Sequence, residues 1–452
     1  MNTYSLASRT LPLDDSWEVI VVGGGPAGSA AATAAAREGA KTLLIEANGA
    51  LGGMGTLGLV PFFCGYADGE KFVARGLAER VRLEMIAGMP HEIDPEPDWL
   101  QFWPSIDPER LKRVYDEMVT EAGVTVLFHT TLASVETTEA GVEALIVANK
   151  TGLSALRGQV YVDCTGDGDL AVWAGAEFEK GDGEGNLQPA THCFLLTNVD
   201  DYVYEHASRS PEVQAREPIR KALKSGRYPL IVDLHACRRQ IGPGTHGFNT
   251  GHVYEVDATD PMSVTRALMH GRQQAEQYRA ALAEFYPGCE NAFLAATGAV
   301  LGVRETRRIL GDYMLTMQDY LARQSFPDEI CRNAYNIDVH GTAPDPAAAD
   351  KDHETFMREI RERVREYAPG ESFGVPYRCL TPRGLRNVLV AGRCISTDRP
   401  VNGSVRIMAC CLTTGEAAGL AAALAARDSG DVHDIDTEDL RRRLRGYDAY
   451  LP

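Results

Sequence analysis

The stretch that decides the fold is VIVVGGGPAGSAAATAAAREGAKTLLIE, residues 19–46. A short apolar run is followed by a glycine cluster, an alanine-rich segment and a second apolar run that ends at Glu46. Gly23, Gly25 and Gly28 fit the pattern GxGxxG, directly after a predicted strand and at the start of a predicted helix. This order of strand, glycines, helix, strand and acid predicts an α/β fold with a site for a dinucleotide.

Each part of the pattern has a physical role. The first glycine permits a tight turn, the second lets a pyrophosphate approach the backbone, and the third lets helix and strand pack closely. The helix N-terminus attracts the phosphate charge, and a carboxylate at the end of the second strand can accept hydrogen bonds from ribose hydroxyls. The dinucleotide contacts predicted from this segment are Gly23, Gly25, Pro26, Ala27, Gly28, Glu46 and Ala47.

Composition restricts the class of protein. Of the 452 residues, 44% are hydrophobic and 24% are charged, which is typical of a globular enzyme with one or two domains. A net charge of −18 argues against a nucleic-acid partner. We identify no uninterrupted apolar run of membrane-spanning length and no signal-peptide pattern. We therefore expect a cytoplasmic enzyme with a small-molecule substrate, and we leave a homo-oligomer open.

The cysteine and histidine spacings argue against a bound metal. The chain has 10 cysteines, none of them in a CxxC pair, so the usual spacing of iron–sulfur and zinc-ribbon ligands is absent from the sequence. No group of histidines and acids shows a recognisable metal-ligand spacing either. We predict no catalytic metal.

Three later segments favour FAD over NAD. GALGGMGT, residues 49–56, is a second glycine segment that suits a ligand extending past its first ribose. QVYVDCTGDGDLAVWAGA predicts a strand that ends near residues 165–166, and RNVLVAGRCIS predicts another buried strand. A long helix predicted at 405–426, opened by residues 403–404, would point free N–H groups at the flavin ring. The further FAD contacts predicted are Gly53, Met54, Gly55, Thr56, Ala133, Thr165, Gly166, Asp167, Gly392, Arg393, Gly403, Ser404 and Val405.

At this point the chain resembles a known family. The motifs that carry the resemblance are GGGPAGSAAA, LGGMGT, DCTGDGDLA, FNTGHVYEVDATDP, LGVRETRRILGDYMLT, NIDVH, VPYRCLTPRGLRNVLVAGRCIS and GSVRIMACC. Together they are similar to the FAD-dependent oxidoreductase family, which is related to fumarate reductase flavoproteins, thiazole-forming enzymes and heterodisulfide reductase flavoproteins. One departure is that relatives commonly read FNTTRV, whereas this chain has Thr250, Gly251 and His252. The arginine beside Asn249 is therefore missing.

The resemblance implies an α/β fold with a Rossmann-like FAD-binding domain built from discontinuous segments, and an inserted mixed α/β substrate domain. The predicted division is an FAD-binding first part at 15–185 (with a β-meander at 131–163 and a helical or loop excursion at 57–105), a substrate domain at 186–384, the last FAD-binding strand and helix at 385–427, and a tail at 428–452.

Two charged groups in the middle of the chain are candidates for catalysis. In VRETRRILGDYMLT, a helix would place Arg304 on one face with Arg307 or Arg308, to bind an anion or pair with acids. In NIDVHG, a strand would place Asp338 and His340 on the same side, where a carboxylate can orient an imidazole for proton transfer. A structural ion pair is the alternative interpretation of both groups.

Two further segments offer polar side chains. GTHGFNTGH presents His246, Asn249 and His252 in a predicted glycine-rich loop, and VPYRC places Tyr377 and Arg378 just before the last flavin strand. The predicted catalytic residues are accordingly His340, Tyr377, Arg304, Arg378, His246 and Asn249.

The function predicted from these residues is a two-electron redox reaction with FAD. A hydride passes between the flavin N5 and a small polar substrate, which is hydroxylated, carboxylated or sugar-like. His340 or Tyr377 would handle the proton, and Arg304 or Arg378 would bind an anion. The alternatives are a flavoprotein subunit that relays electrons to a partner protein, and a dinucleotide-binding biosynthetic protein similar to thiazole-forming enzymes.

Overall fold

The fold is that of a computed structural model of the chain. It describes residues 3–4, 7–89, 103–139, 141–208, 216–345, 347, 350, 358 and 367–452. The excursion predicted at 57–105 therefore lies partly outside the described residues.

The elements follow one another as mixed strands and helices. The described strands are β1 (Leu13–Asp14), β2 (Val19–Val22), β3 (Thr42–Ile45), β4 (Thr125–Leu127), β5 (Thr131–Thr138), β6 (Gly141–Asn149), β7 (Gly152–Leu156), β8 (Val160–Asp163), β9 (Phe178–Lys180), β10 (Phe194–Thr197), β11 (Ala236–Gly242), β12 (Thr245–Thr250), β13 (Phe293–Thr297), β14 (Arg307–Ile309), β15 (Glu329–Asn333), β16 (Phe373–Pro376) and β17 (Val388–Val390). The described helices are α1 (Pro26–Arg37), α2 (Leu77–Ile86), α3 (Pro108–Glu121), α4 (Asp169–Trp173), α5 (Asp201–Ala207), α6 (Glu217–Ser225), α7 (Pro261–Phe285), α8 (Met317–Ala322), α9 (Arg399–Val405), α10 (Met408–Arg427) and α11 (Thr437–Gly446).

A five-stranded parallel sheet with the order β17-β8-β2-β3-β4 forms the centre. All four residues of β2, β3 and β8 are buried, as expected for parallel strands that are covered on both faces. β17 joins this sheet from the C-terminal part of the chain. The predicted α/β class is therefore confirmed, with a Rossmann-like sheet assembled from discontinuous segments.

Helices α1 and α10 pack closely against each other through glycines. A Cβ atom added at Gly415 would lie 2.1 Å from the carbonyl oxygen of Ala27, and one added at Gly419 would lie 1.9 Å from that of Ala31. These distances are too short for any side chain, so α10 approaches the backbone of α1 as only glycine allows. The crossing fixes the position of the first turn of α1.

Helix α10 is also the one described helix that is long and apolar enough to cross a membrane. The most apolar window of this helix is 89% buried inside the fold, so the apolar surface is used for packing.

Beside the parallel sheet, the described residues form two four-stranded sheets and two two-stranded antiparallel sheets, β14-β9 and β15-β16. One four-stranded sheet has the order β1-β7-β6-β5, and its antiparallel strands form a meander over 131–156, whereas β8, at the end of the meander predicted at 131–163, belongs to the parallel sheet. The other sheet, β11-β12-β10-β13, has a separate apolar core with α5, α6 and α7. The buried side chains of Ile309, Leu315, Tyr320, Phe373 and Leu380 belong instead to the large core of the parallel sheet. The division into domains stays a prediction.

The structure corrects three local predictions. The helix predicted at 405–426 is two helices, α9 and α10, that are separated at residues 406–407. The helix predicted around residues 304–308 is an irregular segment followed by strand β14. The segment at 335–340 is irregular instead of a strand. In each case tertiary contacts outweigh the local pattern that suggested the element.

Candidate active site

A large cavity of about 1030 Å³ opens at the carboxyl ends of the parallel strands. Val22, Ile45 and Ala391, which end or follow three of these strands, line it. In doubly wound sheets ligands bind in this crevice. Ligand pockets usually measure about 300–1,000 Å³, so the volume suits a large cofactor together with a small substrate.

The first turn of α1 forms one wall of the cavity. Gly25 is the N-cap of α1 and has no side-chain cap, and a Cβ atom added there would meet no atom within 4 Å. Gly23 has φ +96°, and an added Cβ at Gly28 would lie 1.7 Å from the carbonyl oxygen of Gly23. The free N–H groups at this helix end and the open space above Gly25 fit a pyrophosphate.

Glu46 lies beside this turn. One carboxylate oxygen accepts a hydrogen bond from the backbone N–H of Gly24 at 2.7 Å, and the other accepts from the backbone and side-chain N–H groups of Asn48 at 2.8 and 2.7 Å. A carboxylate has about four acceptor positions, so capacity remains for one ribose hydroxyl. The residues present therefore fit the adenosine half of FAD.

A second part of the cavity wall is formed by the turn after β8 and by Arg393. The guanidinium of Arg393 donates to the carbonyl oxygens of Gly166 and Val303 at 2.9 and 2.8 Å, and to the carboxylate of Asp167 at 2.7 Å. The N-terminus of α10 opens on the same wall, because Arg406, Ile407 and Met408 line the cavity. Ile407 is the N-cap of α10 and offers no side-chain cap, so free N–H groups face the place expected for the flavin.

Most of the predicted cofactor contacts line the cavity. Those that do are Gly23, Gly25, Pro26, Ala27, Glu46, Ala47, Gly53, Met54, Thr165, Gly166, Asp167, Gly392 and Arg393. Seven others do not line it, namely Gly28, Gly55, Thr56, Ala133, Gly403, Ser404 and Val405. Leu132 takes the place predicted for Ala133, and residues 406–408 take that of 403–405, because α10 begins later than predicted.

Away from α1, two histidines and two acids form a continuous row. His252 Nδ1 lies 2.9 Å from Asp233 Oδ2, and His252 Nε2 lies 2.9 Å from His340 Nδ1. His340 Nε2 lies 3.2 Å from Asp338 Oδ1. The hydroxyl of Tyr254 donates to Asp233 Oδ2 at 3.0 Å. All five residues line the cavity.

The charges in this row follow from burial and contacts. Burial, followed by the nearby Arg304, lowers the pKa of His340 to about 3. Burial likewise lowers the pKa of His252, although the hydrogen bond to Asp233 opposes that effect. Burial raises the pKa of Asp338, but His340, Arg406 and Arg304 outweigh it and hold that pKa well below its ordinary value. At neutral pH the imidazoles are therefore neutral and the carboxylates charged.

His235 joins the row from the side. The ring nitrogens of His235, His252 and His340 all lie within 4.8 Å of one another, a spacing that metal sites also use. The rings of His235 and His252, however, are stacked at 7° with centroids 4.3 Å apart, so their in-plane lone pairs do not converge on one point. Arg304 also donates to His235 Nε2 at 3.1 Å. The cluster is arranged for hydrogen bonding, and the absence of a catalytic metal stays a prediction.

Arg304 is a buried cation at the cavity wall. Its side chain is 6% exposed and donates to the carbonyl oxygen of Pro189 at 2.7 Å and to His235 at 3.1 Å. Both of these acceptors are neutral, and Arg304 forms no ion pair with a carboxylate among the residues that the structure describes. Burial and repulsion from Arg406 lower the pKa of Arg304 to about 10, so the charge is retained at neutral pH. A buried cation that forms no direct ion pair with a described carboxylate favours an anionic ligand.

The rest of the substrate end combines one amide with an aromatic wall. Asn249 lines the cavity, and its side chain forms no hydrogen bond within the described part of the chain. Phe62 and Trp103 are stacked with ring centroids 5.3 Å apart, and Tyr335 lies 6.4 Å from Trp103. This end can therefore hold a small molecule between apolar rings and hydrogen-bonding groups.

Three predicted catalytic residues are not brought to the cavity. Tyr377 is buried and donates its hydroxyl to the carbonyl oxygen of Val432 at 2.7 Å. Arg378 pairs with Asp328 at 2.9 Å. His246 lies in strand β12, not in a loop, and contacts Asp201 at 2.8 Å.

Of the other predicted groups, the structure brings Arg304, Asn249 and His340 to one wall. Arg307 and Arg308 pair with the carboxylates of Asp169 and Glu305, as the alternative of a structural ion pair described.

Sequence reasoning missed two residues of the site, Asp233 and His235. They lie in the segment DLHA, just before strand β11, and only the fold brings them to His252 and His340. The alternation of Asp and His in DLHA and again in DVH was the one available signal, and it is a weak one. His252, which replaces the arginine common in relatives, was noted as a departure but was not assigned a role.

The protein family that the chain matches agrees with this geometry. A family model described as FAD dependent oxidoreductase matches residues 18–444. Among curated proteins no match is found. The family model covers every residue that lines the cavity.

Three solved structures are similar to the chain at low sequence identity, each with a TM-score under 0.5. A geranylgeranyl bacteriochlorophyll reductase-like protein from Thermoplasma acidophilum is 13% identical, with 96% of this chain and 83% of that chain covered and a TM-score of 0.46. The p-nitrophenol 4-monooxygenase from Pseudomonas putida is 11% identical, with 96% and 84% covered and a TM-score of 0.42. The flavin-dependent monooxygenase PieE, in complex with FAD and substrate, is 17% identical, with 66% and 51% covered and a TM-score of 0.40.

Proposed function

Because the chain belongs to the family of FAD dependent oxidoreductases and is an enzyme with FAD as its cofactor, we propose that its substrate is a small hydroxylated carboxylate, such as a 2-hydroxy acid. The observation that carries this proposal is Arg304, a buried guanidinium at the cavity wall whose described hydrogen bonds go only to neutral acceptors. A substrate carboxylate would supply a direct ion-pair partner for Arg304.

The position of His340 supports a hydroxyl on the same substrate. The ring of His235, which accepts from Arg304, lies 5.1 Å from the ring of His340 between centroids. A molecule whose carboxylate binds Arg304 therefore brings an adjacent carbon and its hydroxyl close to His340. Asn249 is available for a further hydroxyl or for the carboxylate, and the aromatic rings at Phe62 and Trp103 close the far side.

The proposed reaction removes two electrons and two hydrogens from one carbon–oxygen unit. Bound FAD would supply the two-electron acceptor for the hydride that leaves the substrate carbon when its C–H bond breaks. The hydroxyl proton passes to the His340–Asp338 pair, in which His340 Nε2 lies 3.2 Å from the Asp338 carboxylate, and the substrate becomes a carbonyl compound. Arg304 holds the carboxylate throughout, which fixes the orientation of the carbon.

The first test is anaerobic mixing of the purified holoenzyme with lactate, malate, gluconate and, as the matched uncharged compound, lactamide. We expect at least one of the three acids to bleach the visible absorbance of the flavin, and lactamide to leave it unchanged. If none of the acids bleaches a flavin that dithionite does bleach, the proposed substrate class is wrong and a reduced protein partner becomes the better explanation.

The second test uses Arg304→Met with Arg378→Met as its matched control, because Arg378 lies outside the cavity against Asp328. Loss of a charge-assisted contact worth about 1.5–3 kcal/mol should raise the Kd of the active acid about 10- to 150-fold. Arg304→Lys should recover part of this affinity, since it keeps the charge. An unchanged Kd in Arg304→Met would show that the anion does not bind there.

A further inference from the structure

Trp173 is an exposed aromatic side chain at the cavity. It is the last residue of helix α4, it is 45% exposed, and it lines the cavity. Phe62 and Trp103, at the substrate end, stack on each other, whereas Trp173 forms no ring or cation–π contact within the described part of the chain. A large apolar ring that lines a cavity and has a free face offers that face to a flat ligand.

The described contacts connect Trp173 with the predicted ribose site at Glu46. The backbone N–H of Thr130 donates to the carbonyl oxygen of Glu46 at 3.0 Å, and strand β5 begins at the next residue. Helix α4 packs against β5. Thr130, Thr131 and Leu132 line the cavity together with Trp173 and Glu46. The cavity wall therefore continues from the Glu46 carboxylate, along the start of β5, to α4 and its terminal indole ring.

Helix α4 is anchored to the parallel sheet, which fixes the position of the indole. The carboxylate of Asp163 accepts a hydrogen bond from the backbone N–H of Ala171 at 2.9 Å, and the hydroxyl of Thr165 accepts one from the backbone N–H of Asp169 at 3.0 Å. Leu170 and Ala171 are buried. Because its helix is already ordered, the ring gives up little conformational freedom when it binds a ligand.

The connectivity of a dinucleotide determines which of its groups reaches this ring. The phosphate is attached to C5′ of the ribose and the base to C1′, on either side of the ribose ring oxygen. With the pyrophosphate at the first turn of α1 and a ribose hydroxyl on Glu46, the base extends away from α1 along the next part of the wall. We propose that Trp173 binds the adenine of FAD by stacking its indole ring on the face of the base. This inference rests on the family of the chain and not on the proposed substrate.

Stacking on Trp173 distinguishes FAD from FMN. FMN has the same flavin ring but no adenosine half, so it leaves the indole uncovered. Indole and adenine are both uncharged, so this contact is little affected by salt, whereas salt screens the attraction between the helix N-terminus and the pyrophosphate. Trp173 is thus a residue that selects the adenine-containing cofactor.

The first experiment titrates the full-length apoprotein with FAD, ADP and FMN, because ADP carries the adenosine and a pyrophosphate but no flavin. We expect Trp173→Ala to raise the Kd of FAD and of ADP about 5- to 150-fold, the usual effect of removing one base–aromatic stack, and to leave the Kd of FMN unchanged. Trp173→Phe should keep most of the affinity, since it retains a ring. An unchanged Kd of ADP in Trp173→Ala, or a Kd of FMN that rises as much as that of FAD, would overturn the proposal.

Tryptophan fluorescence reports the stack directly. The chain has four tryptophans, and Trp17→Phe is the matched control, because Trp17 does not line the cavity and its ring contacts Lys41. We expect ADP to quench the fluorescence of the wild type and of Trp17→Phe, but not that of Trp173→Phe, which binds ADP without an indole at this place. Equal quenching in all three proteins would place the base elsewhere. Quenching of Trp173 by FMN but not by ADP would place this ring at the flavin end. Either result refutes the assignment.

The holoenzyme provides an independent measurement. Release of FAD on dilution, followed by the fluorescence of the free flavin, should be faster in Trp173→Ala by a factor similar to the change in Kd, and unchanged in Trp17→Phe. A Trp173→Ala holoenzyme that releases FAD at the wild-type rate would show that the indole does not hold the cofactor.

Discussion

The contact between α1 and α10 allows the effect of one methyl group to be worked out. In Gly415→Ala the added Cβ would lie 2.1 Å from the carbonyl oxygen of Ala27. Carbon–oxygen contacts are normally about 3.3–3.6 Å, so α1 must withdraw by more than about 1 Å. Overpacking of this kind costs about 1–3 kcal/mol, whereas alanine in place of glycine in a helix interior gains about 1 kcal/mol.

The strain should also reach the cofactor, because Ala27 lies in the first turn of α1, whose N–H groups face the cavity. A shift of about 1 Å breaks hydrogen bonds to the pyrophosphate, each worth about 1.5–3 kcal/mol. We therefore expect Gly415→Ala to lower the thermal unfolding midpoint and to weaken FAD binding at least about 10-fold. Gly419→Ala, whose Cβ would meet Ala31 one turn further along, should destabilise the fold with a smaller effect on FAD.

The assay is thermal unfolding of the holoenzyme, together with a titration of the apoenzyme with FAD. Gly446→Ala is the matched control: Gly446 is an exposed residue in α11, and an added Cβ there meets nothing within 4 Å. This variant should be neutral or slightly stabilised. If Gly415→Ala is as stable as Gly446→Ala and binds FAD as tightly as the wild type, the helix crossing does not position the phosphate site and the reasoning is refuted.

Two further predictions concern buried polar groups. Tyr377→Phe removes the hydroxyl that donates to the carbonyl oxygen of Val432. The free energy of unfolding should fall by about 1–3 kcal/mol, while the rate of flavin reduction stays the same. A large loss of that rate would show that Tyr377 acts in the active site. Burial lowers the pKa of His340 to about 3 and also lowers the pKa of His235 and His252, whereas the same histidines in the unfolded chain take up protons below about pH 6.5. The free energy of unfolding should therefore fall as the pH drops from 7 to 5, and it should fall less steeply in His340→Gln. A midpoint of urea unfolding that stays constant over this pH range would contradict the neutral state of the buried histidines.

Those parts of the site whose residues are neighbours in the sequence could be predicted. The glycine pattern at 23–28 and the acid at Glu46 are contiguous with the elements they serve, so the strand–turn–helix unit and its ligand class could be predicted. The predicted fold class of the chain, its family and FAD as its cofactor are confirmed. The relation to fumarate reductase flavoproteins and a cytoplasmic location stay predictions.

The substrate end was harder to predict because its residues meet through the fold. Asp233, His252 and His340 come from three separated segments, and no spacing in the sequence predicts the contacts between them. Asp338 and His340 do lie together as predicted, although the segment is irregular and not a strand. Tyr377 was misplaced because proximity in sequence to β17 does not determine on which side of the chain a side chain points.

The contacts of Arg393 limit where the substrate range of the enzyme can be altered. Its guanidinium joins the turn at Gly166 and Asp167 to the carbonyl oxygen of Val303, the residue immediately before Arg304. The loop that presents the anion-binding arginine is thus anchored to the turn beneath the cofactor. Insertions or deletions introduced ahead of residue 304 to admit a larger molecule would move that turn as well. Substrate range is therefore easier to alter at Phe62 and Trp103, to which Arg393 donates none of its described hydrogen bonds.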